Sequence, residues 1–251
     1  MQRYFIENEN ILNVNDYIEI TNSDYHHIKN VMRMKKGDKV YLSTNKDDSY
    51  IGIIDDITES SIVIKIVEVE NFSTELNSFV VIAQGLVRRE KSEEVVRRIT
   101  ELGASGYVQV QMERSIVKIK EYDKKNDKTE RFEKIVKEAS EQSHRRKIPV
   151  IYPLCNLKEF IDNFSSFDVK LFAYEESGRS GDTSFKNHIK QGQDKKMVIL
   201  VGPEGGFSPK EVQILLDNDF KSIGLGKRIL RTETAPLFVM SAISYELELG
   251  D

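Results

Sequence analysis

Two glycine-punctuated stretches near the end of the chain carry residue types from which a ligand site could be built. They are "VILVGPEGGFSPKEV" at residues 198–212 and "LGKRILRTETAP" at residues 225–236. The first is not a phosphate-binding P-loop, because no Gly-Lys-Ser/Thr follows, and its glycine spacing is wrong for the dinucleotide fingerprint. Its chemistry is that of accessible main chain: Gly202, Gly205 and Gly206 let a flat ligand approach the backbone, and Pro203 stiffens the turn. Ser208, with Pro209 at the first helical position and Glu211 at the third, marks a capped helix start behind it. The second stretch adds charge. Lys227, Arg228, Arg231 and Glu233 stand among Gly226 and the apolar Leu225, Ile229 and Leu230, a mixture that a purely structural loop seldom combines.

The elements that must position these residues follow from patterning. At 251 residues, 39% hydrophobic and 31% charged, the chain reads as an ordinary globular protein, and two domains are expected. "FVVIA" and "MVILV" are strand-length, far short of the roughly 20 residues of a membrane span. "MQRYFIENEN" has no apolar signal region, so a cytoplasmic location is expected. Cys155 is the single cysteine, which excludes an internal disulfide and a multi-cysteine metal site. The net charge of −4 is unevenly spread: residues 84–150 are positive by roughly five while both flanks are negative, so a polyanion would bind the middle.

Residues 1–72 read as a small β-barrel or sandwich built from "KVYLST", "YIGIIDDI" and "SIVIKIVEV" with polar turns between them. One helix interrupts it, "SDYHHIKNVMRM", capped by Ser23 or Asp24 and placing His27, Val31 and Met34 at helical spacing. From Phe79 the rhythm becomes strand–helix–strand: "SFVVIAQGL", then a helix ending at Gly103, then "GYVQVQM". A long amphipathic helix, "KTERFEKIVKEASEQSHRR", ends before Pro149. "VKLFAYE", "KMVILVG" and "SIGLG" are short apolar runs without alternation, as in strands buried on both faces of a mostly parallel sheet. Gly202 and Gly226 fall at the ends of such strands, where α/β sheets bind ligands. "ESGRSGDTS" and "KEYDKKNDKTE" read as flexible loops.

"LVGPEGGFS" and "LGKRILRTETAP" resemble the two signature motifs of the ribosomal RNA small subunit methyltransferase E family, within the knotted SPOUT methyltransferases. "MQRYFI", "HHIKNVMRMKKGD", "TELGA", "ERSIVK" and "KIVKEASEQSHR" are similar to family segments in the same order, so the resemblance spans essentially the whole chain. It implies an α/β fold: a PUA-like RNA-binding β-barrel over residues 1–72 and a SPOUT domain over residues 73–251 whose end is threaded into a trefoil knot. It implies S-adenosylmethionine as methyl donor, a homodimer, no metal, and methylation at N3 of one uridine of 16S ribosomal RNA. The alternatives are methylation of another RNA position, such as a ribose 2′-hydroxyl, or a non-catalytic RNA-binding protein of ribosome assembly.

Carried onto this chain, the resemblance implies donor contacts from Ala173 and Tyr174, from Gly202, Pro203, Glu204 and Gly205, and from Leu225, Gly226, Leu230 and Thr232. A Gly205→Val change is expected to abolish donor binding by filling the pocket. The chain departs from the family at Arg97 and Arg98, where Gln-Lys is common, at His144, where glycine is common, and at "NKDDS" in the barrel. Uracil N3 is a weakly acidic imide whose anion spreads charge over both carbonyl oxygens, which a fixed guanidinium suits. Arg231 is expected in that role, with Glu233 as base or as the orienting partner of Arg231 and Arg228 as an alternative cation. Arg3, Arg33, Arg97, Arg98 and Arg145 are expected to meet RNA, with His27 more at home in packing or capping.

Overall fold

A computed structural model describes residues 1–7, 11–44, 46, 48–117 and 128–250, which divide into two compact units. The first unit comprises Met1–Glu75 and Ser140–Ile148, so a segment far along the chain joins the N-terminal residues. Its strands are β1 (Gln2–Phe5), β2 (Tyr17–Ile20), β3 (Lys39–Ser43), β4 (Ser49–Ile57) and β5 (Ile62–Val69). They form one sheet in the order β1-β3-β4-β5-β2, parallel at β1–β3 and antiparallel elsewhere. Alternation in β5 sends Ile62, Ile64 and Ile66 into a core with Tyr4, Leu42 and Ile54. The three strands read from sequence are β3, β4 and β5; β1 and β2, four residues each, are too short to announce themselves.

The interrupting helix differs from expectation. Helix α1 (Asn22–His26) begins early, with Thr21 rather than Ser23 or Asp24 at the N-cap position and no side-chain cap, and Asn22 turns the chain with φ of 60°. From His27 to Val31 it widens into a π-turn, in which Met32 N–H reaches the His27 carbonyl at 2.9 Å. The widening buries Ile28 and leaves Val31 exposed, off the helical stripe assigned to it. His27 takes a packing role: its Nδ1 lies 3.1 Å from the Tyr4 hydroxyl.

The second unit comprises Leu76–Ala139 and Pro149–Asp251. In chain order, α2 (Arg89–Glu101) lies between β6 (Phe79–Gly85) and β7 (Gly106–Gln111), and α3 (Lys128–Gln142) is followed by β8 (Val150–Ile151), β9 (Cys155–Asn156) and α4 (Leu157–Asn163). Then come β10 (Val169–Ala173), α5 (Glu175–Arg179), α6 (Phe185–Gln191), β11 (Lys196–Val201), α7 (Pro209–Asp217), β12 (Lys221–Ile223) and α8 (Ala235–Ser244). The sheet runs β12-β10-β11-β6-β7-β8, with β9 beside β7, and each of these pairings is parallel. Residues 197–201 of β11 are all buried, which explains a strand without alternation.

Two boundaries need correction. Helix α3 stops at Gln142 instead of continuing through "HRR", because His144 adopts φ of 59° and Arg145 turns back onto Glu75. "ESGRSGDTS" is not an open loop: α5 occupies its first half, and Asp182 accepts hydrogen bonds from Ser184 N–H at 3.0 Å and Gly224 N–H at 2.8 Å. Most of "KEYDKKNDKTE", and Asn45 and Asp47 of "NKDDS", lie outside the described residues. Among the described residues no helix is long and apolar enough to cross a membrane.

Candidate active site

The carboxyl ends of β10, β11 and β12, three adjacent strands, open into a cleft of about 680 Å³, a size suited to a small-molecule ligand. Ala173 and Tyr174 line it at the end of β10, and Gly202, Pro203, Glu204 and Gly205 at the end of β11. Leu225, Gly226, Leu230 and Thr232 close it from the segment after β12, together with Arg231 and Glu233. The residues expected to hold the donor and the two expected to act on the acceptor therefore share one cavity.

What holds the two stretches together is a buried chain of hydrogen bonds. The Thr232 hydroxyl donates to the Gly202 carbonyl at 2.9 Å, and the Gln84 amide donates to the Thr232 carbonyl at 2.8 Å. The Tyr107 hydroxyl donates to Gln84 Oε1 at 2.7 Å, so the chain is anchored on β6 and β7. Behind residues 202–206, Ser208 and Glu211 form the expected capping box, with Pro209 in the first turn of α7. The turn after β7 reinforces it: Glu113 N–H donates to Glu211 Oε1 at 2.7 Å and Arg114 donates to the carbonyls of Gly205 at 3.3 Å and Phe207 at 3.0 Å. A Cβ on Gly205 would meet Arg114 Cβ at 2.8 Å and Arg114 O at 2.9 Å. Gly205 is thus small so that two turns can touch, and a side chain there would collide with Arg114 rather than fill the cleft.

Charge is concentrated at one side. Lys91 Nζ lies 3.3 Å from Glu204 Oε1 and 3.3 Å from Glu233 Oε2, and Arg231 Nη1 lies 4.0 Å from Glu233 Oε1. Desolvation works against the Lys91 ammonium, but the contacts with Glu204 and Glu233 outweigh it and hold its pKa above the ordinary lysine value. The Arg231 side chain is 85% exposed, whereas Glu233 is 27% exposed, so the guanidinium reaches out at the mouth beside a carboxylate that is held. Burial, followed by the carboxylates of Glu176 and Glu175, raises the Tyr174 phenol, which stays neutral.

The residues present fit an adenosine joined to a sulfonium. Residues 202–206 line the cleft, Leu225, Leu230 and Pro203 supply apolar wall, and Glu175 and Glu176 supply negative charge for a cationic end.

The cations assigned to RNA separate into two groups. Arg33 and Arg98 are exposed and Arg97 is half-buried, although Arg98 is shared with Glu94 at 3.0 Å and Glu101 at 3.2 Å. Arg3 and Arg145 are not surface cations. Arg3 is 2% exposed and donates to Ser43, Ser49 and Glu70, and Arg145 is 4% exposed and pairs with Glu75 at 2.5 Å. Both hold the first unit together, and the RNA contact expected of them is replaced by that role.

The residue types alone assign Lys91 to a basic run, "RREK", suited to a polyanion, and give Arg114 and Gln84 no place in the cleft. Gln84 carried a usable signal, since an amide inside the apolar run "FVVIAQG" must find hydrogen-bond partners. Lys91 and Arg114 follow the carboxyl ends of β6 and β7, the edge of the sheet to which the glycine loops already pointed.

Comparison with known proteins identifies the family of the chain. Residues 74–244 match the family model described as RNA methyltransferase domain, and residues 20–67 match RNA methyltransferase PUA domain. The chain is 38% identical to ribosomal RNA small subunit methyltransferase E of Bacillus subtilis (strain 168), over 99% of this chain and 98% of that one. A crystal structure of ribosomal RNA small subunit methyltransferase E from Neisseria gonorrhoeae bound to S-adenosyl methionine is similar at a TM-score of 0.82 and 25% identity, covering 97% of this chain and 96% of that one. A crystal structure described as that of a hypothetical protein is similar at a TM-score of 0.88 and 35% identity, covering 99% of each chain. The chain belongs to the ribosomal RNA small subunit methyltransferase E family.

Proposed function

We propose that this chain transfers a methyl group from S-adenosylmethionine to N3 of one uridine in the 16S RNA of the small ribosomal subunit. The observation that carries the reading is the single cleft in which the glycine loop after β11 and the Arg231–Glu233 segment are tied together by Thr232. The donor supplies an electrophilic methyl on a positively charged sulfur. The chain supplies position and charge: residues 202–205 with Leu225, Gly226 and Leu230 hold the donor, and Ala173 and Tyr174 bound the cleft. Arg231, exposed at the mouth, stabilises the negative charge that develops on the uracil carbonyl oxygens as N3 gives its proton to solvent water, and the N3 lone pair then takes the methyl as the carbon–sulfur bond breaks and S-adenosylhomocysteine leaves. Glu233, contacted by Lys91 and Arg231, orients the guanidinium.

RNA is gripped through the exposed Arg33 and Arg98 and the half-buried Arg97, and the target uridine is taken out of its stack to reach the cleft. The working form is a homodimer in the cytoplasm. In support, α8 buries Val239, Met240 and Ile243 against its own unit while Phe238 and, just beyond it, Tyr245 and Leu249 are exposed. The trefoil knot is part of the same reading, supported by the passage of the segment after β12 alongside residues 202–206. Calorimetric titration with S-adenosylmethionine and single-turnover methylation of small-subunit RNA test the reading. Arg231→Ala should bind donor and RNA near wild-type affinity and react a hundredfold to a thousandfold more slowly, the usual loss of one preorganised donor at about 3 to 4 kcal/mol. A wild-type rate in that variant moves the charge-stabilising role to Arg228.

A further inference from the structure

Lys91 is the residue around which the charged side of the cleft is organised. It sits in the first turn of α2, just after β6, and the end of β6 is seated directly on the donor loop: a Cβ on Gly85 would run into Pro203. From there its ammonium reaches one carboxylate on each of the two functional stretches, Glu204 after β11 and Glu233 after β12, at 3.3 Å each. Glu233 in turn faces Arg231 at 4.0 Å. A cation shared by two carboxylates does two things: it fixes both, and it cancels negative charge beside the place where the reaction generates more.

We propose that Lys91 is a positioning residue for methyl transfer, bridging the donor loop to the segment that carries Arg231 and neutralising Glu204 and Glu233 beside the developing uracil anion. This rests on the function proposed above. Without Lys91, two half-buried carboxylates share the site with no ammonium between them, and Arg231 is drawn to them instead of to the substrate oxygens. The same excess negative charge attracts the donor, whose sulfonium is positive, and finds no charge to act on at the sulfur of the demethylated product, whose thioether is neutral. Loss of Lys91 therefore favours donor over product while it slows transfer.

The test uses the full-length protein carrying Lys91→Met, with Lys91→Gln as a second neutral variant and Lys91→Arg as the charge-preserving one. Calorimetry gives the affinities for S-adenosylmethionine and S-adenosylhomocysteine, and single-turnover methylation at saturating RNA and donor gives the rate. The two neutral variants should react at least about tenfold more slowly, and the ratio of product to donor dissociation constants should rise by about threefold or more. Lys91→Arg should restore both to near wild type. Three results would overturn the proposal: an unchanged rate in the neutral variants, donor and product affinities that fall together, or weaker RNA binding with an unchanged rate at saturation, which would make Lys91 a phosphate contact. A wild-type protein that binds the donor but methylates no RNA counts against the proposed function instead, and the affinity ratio still decides the electrostatic role of Lys91.

Discussion

The Thr232 hydroxyl donates a 2.9 Å hydrogen bond to the Gly202 carbonyl, joining two segments thirty residues apart whose glycines face one cleft. Because Gln84 Nε2 also donates to the Thr232 carbonyl, the side chain and the backbone of one residue are both committed. The position of Thr232 and its neighbours relative to residues 202–206 is therefore set from the centre of the sheet.

Thr232→Val keeps the shape and removes the hydroxyl, leaving the buried Gly202 carbonyl short of a donor. It should destabilise the protein by about 1 to 3 kcal/mol, the cost of an unsatisfied buried polar group, and weaken donor binding. Denaturant unfolding and calorimetry measure the two effects, and unchanged donor affinity would separate the tie from the site.

Gly205 and Gly206 should respond differently to alanine. Gly205→Ala forces Arg114 and its carbonyl away and is expected to lower donor affinity at least about tenfold, since steric conflict there falls on backbone. Gly206 has φ of 66° with open space around its Cβ position, so Gly206→Ala incurs only the left-handed penalty of about 1 to 2 kcal/mol. Equal losses of donor affinity in the two variants would contradict the contact assigned to Gly205.

Arg145 and Arg97 separate structure from recognition. Arg145→Ala leaves the buried Glu75 carboxylate with the backbone N–H groups of Arg146 and Lys147 but without the Arg145 guanidinium, and should reduce stability by up to about 3 kcal/mol. Arg97→Ala should leave the fold intact and lower the slope of log RNA affinity against log salt by about one, as loss of one phosphate contact does. Thermal melts and salt-dependent RNA binding would distinguish them.

Asp182 gives a pH dependence. Desolvation alone would raise its carboxyl, but hydrogen bonds from Gly224 N–H and Ser184 prevail and hold it below the usual aspartate value. A depressed folded-state pKa contributes stability that is present above the unfolded value, near 4, and is lost as pH falls through the folded value. Asp182→Asn should therefore be less stable than wild type at pH 7, and the gap should close toward pH 3. A gap independent of pH would assign the loss to packing.

Much of this was legible in the residues themselves. The capping box Ser208–Glu211, the apolar strands β10 and β11 and the two glycine stretches all declare themselves through local rules, and the cleft forms where those rules placed it. What stayed hidden depends on partners distant in the chain. An arginine reads the same whether it faces solvent, as Arg33 does, or pairs with Glu70, as Arg3 does. Lys91 resembled any other cation of a helix start until β11 and β12 brought Glu204 and Glu233 to it.

The most direct test is nucleoside analysis of small-subunit RNA after incubation of small subunits, isolated from cells lacking this protein, with the purified protein and methyl-labelled S-adenosylmethionine. The account predicts label in a single nucleoside, uridine methylated at N3, formed by wild type and strongly reduced by Arg231→Ala. Label on a ribose 2′-hydroxyl, or on no nucleoside while the protein binds the donor, would contradict it.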